Sequence, residues 1–143
     1  MQATIQRTDP TDARTLEASL ELAAQREVDL TTRVYARLFE QQPEMQALFW
    51  RDRDGQIKGE MLARVFEALF DFIGERRYAH NMIQSEVLTH EGYEVPRDVF
   101  ATFFAVVAQE VRVVCAEQWT PAMDAAWRRT LADIDDYVKH PPA

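Results

Sequence analysis

The chain has 143 residues, 47% of them hydrophobic and 28% charged, which suits one globular domain with a single substantial core. Its formal net charge is −8, with Lys and Arg standing singly or in pairs such as Arg76-Arg77 and Arg128-Arg129; a nucleic-acid or anionic-membrane surface would need clustered bases. One cysteine, Cys115, excludes an intrachain disulfide and a thiolate zinc site.

Taken in order, residues 1–12 read as a polar tail without an apolar signal core. Residues 13–138 read as one domain and 139–143 as a second tail. In 13–25, Leu16, Leu20 and Ala23 follow i, i+4, i+7, the spacing of a helix face. From Asp29, placed to cap, Leu30, Val34 and Leu38 share a face. Pro43 opens a short piece ending at Leu48-Phe49, and a polar loop runs from Arg51 to Gln56. The next stripe is Leu62, Phe66, Leu69 and Ile73. Residues 79–90 form a short helix closed by His90, and Glu91 to Pro96 turns into a long apolar helix beginning near Arg97. Phe100, Phe104, Val107, Val111 and Val114 mark its buried face. Thr120-Pro121 caps the last helix, with Met123, Trp127, Thr130, Leu131, Ile134 and Val138 inward.

Gly55, Gly74 and Gly92 fall where periodic segments stop, and Pro43, Pro96 and Pro121 where new ones start, as first-turn prolines do. No segment combines strand alternation with a hairpin turn. The predicted fold is all-α, with six main helices and one or two short ones. No apolar run reaches the ~18 residues of a membrane span. No membrane or nucleic-acid partner is expected, and the expected location is the cytoplasm.

The candidate chemistry centres on His90. An imidazole at the end of a short helix, held against an apolar wall, can offer one neutral nitrogen to a flat metallocofactor. A lone histidine is more often a plain core or surface residue, so its neighbours decide. Tyr35 and Phe49 stand fourteen residues apart with Pro43 between them, and Val95 follows His90 by five. The segment Trp119-Thr120-Pro121 through Ala126-Trp127 closes the chain. In this order and spacing, residues 15–138 resemble a globin, in particular bacterial single-domain globins and the globin part of flavohemoglobins.

The resemblance implies heme b as cofactor. It makes His90 the iron ligand, Phe49 the ring stacked on the porphyrin, Val95 and Phe100 further contacts, and Tyr35 the hydroxyl that donates to bound dioxygen. On their own terms Phe49 reads as core and Tyr35 as a core tyrosine with its hydroxyl at the surface. A continuous Leu62/Phe66/Leu69/Ile73 stripe toward the heme puts Lys58, 32 residues before His90, at the first distal position. Gly59 is then its small neighbour and Leu62 lies over the iron. A shift of three residues puts Met61 over the iron and Val65 above the ring instead. Lys58 reads equally as a surface lysine at a helix start, since Lys is rarely buried unpaired.

Flavohemoglobins pair the proximal histidine with a Tyr ten residues on and a late Glu. Here Phe100 takes the first place, and Pro141-Pro142-Ala143 stands where the second would be. The implied role is reversible binding of dioxygen, nitric oxide or carbon monoxide, as carrier, store or scavenger, by a monomer or homodimer. Nitric-oxide dioxygenase turnover would depend on a separate reductase. The alternative is a globin-fold sensor or regulatory module without heme. Glu91, Tyr93 and Trp50 stand near the expected pocket, His80 and His140 at segment ends, and Cys115 reads as inert core.

Overall fold

The computed structural model describes residues 8–26, 29–49, 51, 52, 54–74, 76, 79–92, 95 and 97–139, with backbone alone at 79, 80, 91, 92, 97 and 98. Among these residues there are six α-helices, two 3₁₀ pieces and no strand. The helices are α1 (Pro10–Gln25), α2 (Leu30–Gln41), α3 (Gln56–Ile73), α4 (Ala79–Gly92), α5 (Arg97–Cys115) and α6 (Pro121–Lys139). The 3₁₀ pieces, Pro43–Phe49 and Ala116–Gln118, precede α3 and α6.

Local chemistry explains the boundaries. Pro10 occupies the first turn of α1 and the Asp9 carboxylate accepts from Thr11 N at 2.8 Å, a standard N-cap arrangement. Residues 10–12, expected in the tail, therefore belong to the helix. Asp12 lies under it, its carboxylate taking both Arg129 Nε and Nη2 at 2.7 Å and so tying α1 to α6. Asp29 caps α2 through Thr32 N at 3.1 Å. Gly55 begins α3 rather than ending a segment, at φ +77°, a backbone region that favours glycine. The Thr120 hydroxyl accepts from Met123 N at 3.1 Å at the head of α6. Helix α4 continues two residues past His90, and Val95 N then donates to the His90 carbonyl at 2.8 Å.

Helix α5 is the axis of the core and packs against α1, α2, α4 and α6. Val106, Val107 and Val111 are fully enclosed. Against the sequence expectation, Val99–Gln118 is long and apolar enough, by length and composition alone, to cross a membrane; half of that window is buried inside the protein. Glu110 interrupts it, buried and paired with Arg33 at 3.2 Å and Arg37 at 2.8 Å from α2.

At the α1, α5 and α6 end of the core, Ser19 is closed in by partners from the chain itself. Trp127 Nε1 donates to Ser19 Oγ at 2.9 Å, and Ser19 Oγ donates to the Leu16 carbonyl at 2.7 Å. Cys115 sits in this core as expected, fully buried, with its thiol pushed up in pKa by that burial. Around the other half of α5, helices α2 to α4 leave a hollow.

Candidate functional site

The hollow comprises about 840 Å³ of empty space, a figure that includes space open to solvent. Helix α2 contributes Tyr35 and Leu38, and the Pro43–Phe49 segment contributes Met45, Leu48 and Phe49. Helix α3 adds Met61, Arg64, Val65 and Ala68; α4 adds Met82, Ile83, Glu86 and His90. Val95, Val99, Phe100, Phe103 and Phe104 complete the wall. Apart from His90, the charged groups in this lining are Arg64 and Glu86, which pair at 2.9 Å.

Tyr35 is held by aromatic rings on three sides. Its centroid lies 5.9 Å from Phe39, 5.4 Å from Phe49 and 5.4 Å from Phe103, distances at which tilted and edge contacts are favourable. The residue is 2% exposed and its hydroxyl, also buried, has no hydrogen-bond partner among the described residues. Burial pushes the phenol far above its ordinary pKa, and the nearby Asp52 carboxylate adds to the effect. The hydroxyl is thus a permanent donor in an apolar space, with an unmade hydrogen bond.

His90 presents the complementary chemistry. Its Nδ1 lies 2.6 Å from the Glu86 carbonyl, one turn back on α4. A carbonyl can only accept, so Nδ1 carries a proton, and in the neutral ring the lone pair falls on Nε2. The Phe100 ring packs edge-on against the imidazole at 5.1 Å and continues to Phe104 at 6.0 Å. The helix-terminal histidine is therefore locked in one tautomer by its own backbone, with its other nitrogen available as a ligand.

The distal register differs from the preferred sequence expectation. Lys58 and Leu62 do not line the hollow; Met61, Val65 and Ala68, at i, i+4, i+7, do. Leu62 is 3% exposed and joins Leu69, Phe72 and Ile73 in the core. Lys58 Nζ is drawn to Asp52 at 3.2 Å and lies 5.7 Å from the centroid of the Phe49 ring. Asp52 also accepts from Ile57 N and Lys58 N at 3.0 Å each. Burial opposes its charge, but these two amides and the Lys58 ammonium outweigh it and hold the carboxyl below its usual range. Asp52 thus caps α3 and fixes the helix's rotation, which carries Lys58 away from the hollow. A Cβ on Gly59 would meet no protein atom within 4 Å, so no neighbouring side chain or backbone requires that glycine.

Tyr35, Phe49, His90, Val95 and Phe100 are brought together on one lining. Trp50, Tyr93 and His140, and the side chains of His80 and Glu91, lie outside the described residues. Sequence reasoning missed Arg64 and Glu86; their pairing across two helices left no local signal.

A protein-family model described as Globin matches residues 32–138. The chain belongs to the globin family. Neither the curated proteins nor the solved structures gave a match. The globin match spans every lining residue of the hollow and leaves α1 outside it. Globins as a family generally bind heme through one histidine, with a distal pocket for a diatomic gas.

Proposed function

We propose that this globin binds heme b in the hollow, with His90 as the iron ligand, and reversibly takes dioxygen, nitric oxide or carbon monoxide on the side reached by Tyr35. The observation that carries the reading is the pairing of opposites in one apolar lining: an imidazole whose Nδ1 is engaged by its own backbone, and a buried hydroxyl with no partner. Among the described residues no group of three His, Cys, Asp or Glu side chains could hold a bare metal ion. A single imidazole suits a metal that arrives with its own macrocycle.

Heme would supply an iron able to take up a small gas ligand. His90 holds and orients that iron through a tautomer fixed by the Glu86 carbonyl. Phe49, Phe100 and Val95, all on the lining, would flank the ring and exclude water. Tyr35 donates its hydroxyl proton toward whichever partially negative atom enters its reach; in a low-dielectric space such a donor counts for more than in water. Storage, transport or scavenging of the gas are the roles this supports, with turnover left to a separate reductase.

Titration of the protein with hemin tests the proposal. The wild type should develop an intense Soret band at one equivalent, and His90→Ala should lose it or release heme much faster. A wild type without the band, or a His90→Ala variant with unchanged retention and iron coordination, overturns the assignment.

A further inference from the structure

Glu86 touches both ends of the hollow's polar chemistry. Its backbone carbonyl takes the Nδ1 proton of His90 at 2.6 Å, and its Oε2 stands 3.7 Å from the same nitrogen. Its other carboxylate oxygen, Oε1, is held by Arg64 Nη1 at 2.9 Å, across from α3. At 3.7 Å the carboxylate is beyond hydrogen-bond range, so Arg64 keeps it one short side-chain rotation away from the imidazole. Among the described residues Phe100 also packs on His90, and it offers no acceptor.

We propose that Glu86 is a positioning residue for His90, and that Arg64 sets how much of the Glu86 carboxylate the imidazole receives. The proposal rests on the heme reading above. A histidine ligand whose outer N–H is accepted by a carboxylate is more basic than one accepted by a neutral carbonyl, and it favours the higher charge state of its metal. Arg64 is 65% exposed and the Glu86 side chain 27%, and rim pairs of this kind hold weakly. A small anion arriving at the rim, such as inorganic phosphate, would compete for Arg64 and free Glu86 for His90. The chain thereby links the charge at the mouth of the hollow to the donor strength of a residue inside it.

The test compares the heme-loaded wild type with Glu86→Gln, Arg64→Met and the double variant, measuring the ferric/ferrous midpoint potential and the iron–imidazole stretching frequency of the ferrous form. Glu86→Gln should retain the Soret band and shift the ferric/ferrous equilibrium about tenfold toward ferrous, a rise of about 59 mV for one electron, with a lower stretching frequency. Arg64→Met, which leaves both partners on α4 in place, should raise the stretching frequency and lower the potential. In the Glu86→Gln background the Arg64→Met change should do little, because its effect passes through the carboxylate. Additive shifts would make the two side chains independent charges and overturn the proposal, as would an unchanged stretching frequency in Arg64→Met. Failure of the wild type to take up heme would instead defeat the underlying reading.

Discussion

Ser19 and Tyr35 are both buried hydroxyls, 0% and 2% exposed, and the two ends of the molecule treat them oppositely. Ser19 receives the Trp127 indole proton and gives its own to Leu16, while its carbonyl takes the Cys115 thiol at 3.4 Å. Tyr35 is packed as tightly by rings, yet its oxygen has no partner. Thr130 and Trp119 also carry unpartnered buried polar atoms, but neither lines the hollow. Around Ser19 the α1, α5 and α6 end is finished by the chain itself. The α2 to α4 end withholds a hydrogen bond at the place where something else is to be bound, which is where natural sequences break the rule of polar satisfaction.

Three experiments would break or sharpen this contrast. The largest effect belongs to the finished end: Trp127→Ala should cost about 3–5 kcal/mol, the range for emptying a buried aromatic site. Urea denaturation should give the same loss with and without heme. A loss under about 1 kcal/mol would mean this end does not carry the fold. At the hollow end, Tyr35→Phe removes one charge-assisted bond worth about 1.5–3 kcal/mol. Dioxygen should leave at least tenfold faster by stopped flow, with carbon monoxide, a less polar ligand, little changed. The Tyr35→Phe apoprotein should be at least as stable as wild type, because a buried unpaired hydroxyl is gone. Equal dioxygen rates would take the hydroxyl out of the pocket.

The smallest effect is a pH dependence. Asp12 is held below its ordinary pKa by the hydrogen bonds from Arg129, against some opposition from burial, with the guanidinium charge adding; Asp52 is depressed as well. A carboxyl with a lower pKa folded than unfolded stabilises fully above the unfolded value near 3.9 and loses that contribution as pH falls through the folded one. Melting temperatures followed downward from about pH 5 should therefore fall. Asp12→Asn should flatten the decline without altering heme uptake. A decline of unchanged steepness in Asp12→Asn would remove this bond from the account of the finished end.

The helices were legible because their punctuation is local. Asp29, Pro43 and Pro121 act within one turn of where they stand, and the face of α6 with Trp127, Ile134 and Val138 is buried as its spacing implies. Tyr35, Phe49 and His90 were legible through their order and separation. The rotation of α3 was not. That helix is apolar on two neighbouring faces: Leu62, Leu69 and Ile73 meet the core, while Met61, Val65 and Ala68 meet the hollow. Periodicity finds both stripes and cannot say which meets which neighbour. The deciding contact is Asp52, whose cap lies five and six residues from its partners in what reads as an ordinary polar loop. Arg64 and Glu86 were hidden more deeply, since their meeting depends on how α3 and α4 pack.

Glu110 has a consequence that belongs to the time before the fold exists. In the finished protein its carboxylate joins α5 to two arginines of α2. It also sits near the middle of Val99–Gln118, a stretch that could pass for a bilayer span. In a newly made chain meeting lipid, Arg33 and Arg37 would not be folded against it, and an ionisable side chain at the centre of a span costs about 2.5–3.5 kcal/mol to insert. Glu110 thus helps to make a long apolar helix a poor guest for a membrane and a good partner for α2.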